Sequence, residues 1–146
     1  MDVRLHQFVR SIDAFLNSHK AEQFSKRLGL VCAGRCKAAL DELYGIRSGI
    51  EHLHGPYKRM AKNPRGGRLL RLGHRCTQAE AIARYMLQTY LLRPSLWPTF
   101  EQVSSIDAFW NAPTGRLRSL WGPPLHFPSI LRHFELWLFK QEMGIS

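Results

Sequence analysis

Residues 41–56 read "DELYGIRSGIEHLHGP", and with the preceding leucine they place Leu40, Leu43, Ile46, Ile50 and Leu53 at steps of three and four before Gly55 and Pro56. That spacing lines one face of an α-helix, and proline cannot continue the hydrogen-bond ladder, so the stretch is a helix that stops at its own end. On its other positions it carries Arg47, Glu51, His52 and His54. At about 100° per residue, Arg47 and His54 lie two turns apart and point in similar directions. Glu51 falls on the same side as Arg47, while His52 points elsewhere.

Outward from this helix the same period recurs. Residues 3–17 set Leu5, Phe8, Val9, Ile12, Phe15 and Leu16 on one face, with Arg4, Arg10 and Asp13 on the others, which predicts an amphipathic helix facing a core. A second helix is predicted from about Ala21 to Ala33 through Phe24, Leu28 and Val31, ending near Gly34; the motif helix then starts near Cys36. Residues 56–75, "PYKRMAKNPRGGRLLRLGHR", read as a long loop broken by Pro56, Pro64, Gly66 and Gly67, with a short turn at Arg68–Leu72. In "TQAEAIARYMLQTYLL", Thr77 followed three residues on by Glu80 is a capping-box pattern, so a fourth helix is expected to begin there and run to about Leu92.

Past Pro94 the prolines at 94, 98, 113, 123, 124 and 128 divide the chain. The expectation is a helix around Phe100–Trp110, an irregular basic stretch, and a last helix around Ser129–Glu142 with a wide apolar face through Ile130, Leu131, Phe134, Trp137 and Leu138. No internal repeat and no alternating strand pattern longer than about four residues interrupts this reading. The fold class is therefore all-α: a small bundle of four main helices over residues 1–93, and a Pro/Trp-rich helical extension over 94–146 packed on the same domain.

A chain of 146 residues with 45% hydrophobic residues can bury a real core. No apolar run approaches the ~20 residues that cross a bilayer, and the N-terminus is amphipathic and charged, so the expectation is a soluble, cytoplasmic protein without a membrane role. The net charge of +10, from 21 Lys and Arg against 11 Asp and Glu, favours a polyanionic partner such as nucleic acid over a basic one. Three cysteines, an odd number, argue against a disulfide framework.

An arginine keeps its proton and holds phosphate through parallel hydrogen bonds, whereas a histidine exchanges its proton near neutrality. Together they suit RNA cleavage in which the 2′-hydroxyl attacks the neighbouring phosphate, histidine moving the proton and arginine stabilising the added charge. A hydrolytic metal site is disfavoured, since the motif offers a single carboxylate beside it.

"LYGIRSGIEHLHG" resembles the signature of the HEPN superfamily, small all-α domains whose nuclease members carry an arginine, four to six residues, then a histidine. The closest branch reads roughly "LYxxRSxxxHG", matched by Tyr44, Arg47 and Ser48. Arg47 and His52 enclose four residues, and Arg47 and His54 enclose six, so pattern order favours His52 and helix geometry favours His54. The resemblance covers residues 3–92 and implies a homodimer with a composite cleft between two copies of the motif. It implies a metal-independent endoribonuclease without cofactor, of the kind found as toxins or phage-defence effectors with an antitoxin or defence-system partner, although the family also has members without nuclease activity. In that reading Arg47, His52 and His54 are catalytic candidates, with Tyr44, Ser48 and Glu51 supporting them.

Each feature has a plainer reading. Glu51 pairing with Arg47, and histidines at a helix C-terminus where positive charge is favoured, would make only a solvated helix end. Glu51 is better suited to holding Arg47 than to chemistry. Lys58, Arg59, Lys62, Arg65, Arg68, Arg71 and Arg75 form a run without one acidic residue, available to RNA backbone or simply solvated. His6, His19, His126 and His133 are scattered polar residues. Cys32, Cys36, His74 and Cys76 lack zinc-knuckle spacing, and the cysteines four apart are expected to be buried small apolar groups. Trp97, Phe100, Phe109, Trp110 and Trp121 are better suited to a core or interface than to base stacking. The rivals to the nuclease are a non-catalytic module that binds nucleic acid or nucleotide or dimerises, and a purely structural helical subunit.

Overall fold

A computed structural model describes residues 2–51, 65–130 and 132. Within them the all-α expectation is met. Helix α1 spans Asp2–Leu16, α2 Ala21–Val31, α3 Lys37–Glu51 and α4 Arg65–Leu91. A 3-10 helix, Pro94–Phe100, leads into α5, Val103–Trp110, and α6, Thr114–Trp121. Two two-residue strands, β1 (Cys32–Ala33) and β2 (Leu125–His126), pair in parallel with Cys32 opposite Leu125.

The core forms where the apolar spacing placed it. Leu5, Val9, Ile12 and Leu16 of α1 meet Phe24, Leu28 and Val31 of α2, Leu40, Leu43 and Ile46 of α3, and Leu72, Ala79, Ile82 and Met86 of α4, all buried. Each leucine-sized side chain removed from water contributes about 1.5–3 kcal/mol, far more than an exposed ion pair, so this stripe pattern sets the topology. Helix α1 packs along α4 and also touches α2 and α3. It ends at Asn17, whose φ of 48° is a left-handed conformation that asparagine tolerates.

Arg27 then locks that corner. It is 3% exposed, and its guanidinium donates to the carbonyls of Leu16 at 2.6 Å and Asn17 at 3.0 Å, and meets Asp107 of α5 at 2.8 Å. The extension joins the bundle through aromatic rings as well. Phe100 stands 5.6 Å, centroid to centroid, from both Phe15 of α1 and Tyr90 of α4, and then continues into Phe109 and Trp121. The Trp110 indole donates to the Phe15 carbonyl at 2.9 Å. Phe109, Trp110 and Trp121 are therefore core residues, while Trp97 stays 44% exposed.

Three expectations are corrected. Residues 65–75 are not loop but the first turns of α4, so Thr77 and Glu80 lie inside that helix rather than at its start. Gly66 and Gly67 fall in the first turn, where N–H groups have no intrahelical acceptor in any case. Leu72 then drops fully into the core and holds the turns that follow. Glu80 pairs with Arg84 at 2.9 Å and Arg4 at 3.5 Å. Second, the helix expected at Phe100–Trp110 is split, with Pro94 and Pro98 favouring the tighter 3-10 form before α5 begins at Val103. Third, the stretch read as irregular contains α6, because Leu117 and Trp121, four apart, have buried partners to meet. Most of the last predicted helix, beyond residue 132, lies outside the described residues.

Candidate functional site

Tyr44, Arg47 and Ser48 occupy successive turns of α3, all half-buried. Buried Leu40, Leu43 and Ile46 anchor the opposite face and so fix the direction in which Arg47 projects. The Arg47 side chain is 19% exposed and meets Asp13 of α1, with Nη1 to Oδ2 at 2.7 Å. The other oxygen of Asp13 accepts from the Ser18 hydroxyl. Beneath the guanidinium, the Tyr44 ring centroid lies 5.6 Å from Cζ, and that ring leans on Phe24 at 5.4 Å. A carboxylate from one side and an aromatic face from another thus orient the one permanent cation of the motif.

Among the described residues, the carboxylate that holds Arg47 is Asp13, a partner on another helix. Of Glu51, the last residue of α3, only the backbone is described. His52 and His54 lie outside the described residues, as do Lys58, Arg59 and Lys62; Arg65 and Arg68 are described in backbone only.

Arg71 and Arg75 sit one turn apart on α4 and converge on Glu42 of α3. Arg71 Nε lies 2.8 Å from Oε1, and Arg75 Nη2 lies 2.7 Å from Oε2. Glu42 is thus the compensating acid that their own segment lacks. Arg75, 13% exposed, also donates to Gln78 at 2.6 Å, whereas Arg71 is 46% exposed. One carboxylate against two guanidiniums leaves a net positive edge along the α3–α4 seam. Glu42 and Arg47, five residues apart, point about 140° from each other around α3. The seam cations and the motif arginine consequently occupy different sides of that helix.

The thiols behave as apolar groups. Cys32 and Cys36 are buried and free, and burial pushes the Cys32 thiol up to about 12, with the neighbouring Cys36 adding to the rise. Burial raises Cys36 and the half-buried Cys76 as well. Among the described residues no group of three or more His, Cys, Asp or Glu is placed to hold a metal ion. No described helix is long and apolar enough to cross a membrane.

Asp13 and Glu42 are the carboxylates at these arginines that reading the sequence passed over. Asp13 was visible only as a polar position of α1, and its pairing spans 34 positions between helices, where no local period reports it. No protein-family model, curated protein or solved structure matches the chain.

Proposed function

We propose that this chain is a metal-independent endoribonuclease domain of the HEPN type, working as a homodimer with a composite site. The observation that carries the reading is the orientation of Arg47 by Asp13 and Tyr44 on the helix that precedes His52 and His54 in the sequence. A guanidinium held in place before substrate arrives loses little entropy on gripping a phosphate, and it is worth most where negative charge develops. The 2′-hydroxyl of RNA attacks the adjacent phosphorus, passing its proton to His52 or His54. The bond to the 5′-oxygen breaks, and that oxygen takes a proton as it leaves. Products are a 2′,3′-cyclic phosphate and a 5′-hydroxyl. The net charge of +10 and the seam at Arg71 and Arg75 supply attraction to RNA backbone without sequence choice. A toxin or phage-defence role, with a protein partner that restrains cleavage, belongs to the same proposal.

The test is cleavage of a labelled RNA pool by purified dimer. Arg47→Ala lowers the rate by about 10²–10³-fold while the helical circular dichroism is unchanged, and a chelator has no effect on wild type. Wild type that cleaves no RNA under any stimulus, or an Arg47→Ala variant as active as wild type, overturns the reading.

The same ion pair favours a second reading, a non-catalytic binding module, because a cation already matched by a carboxylate offers less positive charge to a developing phosphorane. Binding of RNA without cleavage, equal in wild type and Arg47→Ala, selects it.

A further inference from the structure

At the far end of α4, a cleft of about 540 Å³ opens between Gln88, Thr89 and Leu92 on one side and Trp121 at the end of α6 on the other, with Arg93 at its edge. Among the described residues its lining contains no acidic residue. Tyr85, Gln88 and Thr89 of α4 and Leu92 just past its end, whose N–H still donates to the Gln88 carbonyl, fall on one helical face, so the wall is continuous.

Two groups in this cleft are under-used. Arg93 has five N–H donors, and among the described residues its one hydrogen bond goes from Nη1 to the Leu120 carbonyl at 3.3 Å, with no carboxylate partner. Its seat is made by Gly122, whose φ is +99°; a Cβ there would stand 2.6 Å from Nη2. The fold therefore keeps a residue without a side chain where the guanidinium lies. The second group is the indole of Trp121, 2% exposed, whose Nε1–H has no acceptor among the described residues. The other two described tryptophans are both satisfied, Trp97 by the Tyr90 carbonyl at 3.0 Å and Trp110 by the Phe15 carbonyl at 2.9 Å. Tyr85 is committed to the Pro123 carbonyl.

A positive charge without a carboxylate, a buried donor without an acceptor and an acid-free lining all call for an acceptor-only, negatively charged group. Leu92, 80% exposed at the rim, adds an apolar surface beside it. We propose that this cleft binds a small organic oxyanion. Its carboxylate or phosphate engages Arg93 and, directly or through a water that it orders, the Trp121 N–H; its apolar body lies along Leu92. The volume suits a single small molecule. The site shares no residue with the motif around Arg47, so it stands or falls independently of RNA cleavage.

The experiment titrates the full ¹⁵N-labelled chain with benzoate, adenosine monophosphate and inorganic phosphate at about 0.15 M salt, where unfocused surface attraction is screened. Indole N–H signals are followed, with that of Trp121 identified by Trp121→Phe. Expected is saturable binding of benzoate or the nucleotide, with a shift of the Trp121 signal while those of Trp97 and Trp110 stay still. Arg93→Gln weakens the binding about tenfold or more, and Arg84→Gln on the exposed side of α4 leaves it unchanged. Benzoate alone identifies a carboxylate ligand and the nucleotide alone a phosphate ligand, and either supports the site. Should Arg93→Gln fold poorly, Gln88→Glu at an exposed position neutralises the cleft and must weaken binding to a similar degree. No saturable binding by any probe, a motionless Trp121 signal, or affinity indifferent to the folded variants overturns the proposal.

Discussion

Replacing Arg27 by methionine tests whether the bundle and the extension are pinned at one buried point. Methionine keeps most of the apolar stem, so the loss isolates the guanidinium. Wild-type Arg27 satisfies the carbonyls of Leu16 and Asn17 and puts a positive charge at the C-terminus of α1. Two charge-assisted bonds in a buried setting contribute about 1–2 kcal/mol each, the helix-end charge adds about 0.5 kcal/mol, and relief of the cation's own desolvation returns part of it. The expected net loss is about 3 kcal/mol, or a Tm lowered by about 6–12 °C for a chain of this size. Arg84→Ala is the calibration. That residue also makes an ion pair, with Glu80, but its side chain is 72% exposed, so its loss is expected to be below about 0.5 kcal/mol. Asp107→Asn falls between the two, since its carboxylate is accessible to water in the absence of Arg27. Urea unfolding followed by tryptophan fluorescence and circular dichroism reads all three. If Arg27→Met loses less than about 1 kcal/mol, or no more than Arg84→Ala, the pin is decorative and the reasoning fails.

Glu42→Gln releases Arg71 and Arg75 from their shared carboxylate; RNA binding at low salt should tighten, and the slope of log K against log salt steepen by about 1, as filter binding across a salt series reports. An unchanged slope places the seam outside the RNA path. The Asp41 carboxyl is held below its ordinary value of 3.8 by the Ser25 hydroxyl and then Lys37, and Asp107 by Arg27 and then Asn17. Both contributions are complete above the unfolded value and lost as pH falls through the lowered one, so stability should be level from pH 7 to about 5 and decline below about 4. Asp41→Asn with Asp107→Asn should flatten that decline in acid titrations of unfolding. Cys32, buried and with its thiol pushed up to about 12, should resist alkylation at pH 8 in the absence of denaturant, while half-buried Cys76 reacts earlier; mass spectrometry of timed labelling distinguishes them.

Much of the bundle was legible because burial writes itself into spacing. Leu5, Val9, Ile12 and Leu16 announce α1, and Leu40, Leu43 and Ile46 announce α3 and the side on which Arg47 stands. The start of α4 was hidden because Gly66, Gly67 and a dense run of arginines carry the local marks of a loop. What makes it helical is remote: Leu72 in the core, and Glu42 of another helix clasping Arg71 and Arg75. α6 was hidden for a similar reason, being short and flanked by prolines, with an apolar pair that gains meaning only beside Phe100 and Phe109. In the candidate site, the arginine was legible from its motif. Its partner Asp13 was not, since an ion pair between helices leaves no periodic trace.

The pairing of Cys32 with Leu125 joins positions separated by well over half the chain, and does so with two residues on each side. So small a ladder contributes little by itself, yet closing so large a loop costs entropy that must be met by contacts already made. The four helices and the aromatic rings of the extension must therefore assemble before this strap can fasten. It acts as a latch set last in folding and opened first under mild denaturant, so amide exchange at residues 32–33 and 125–126 should outpace that of α1 and α4.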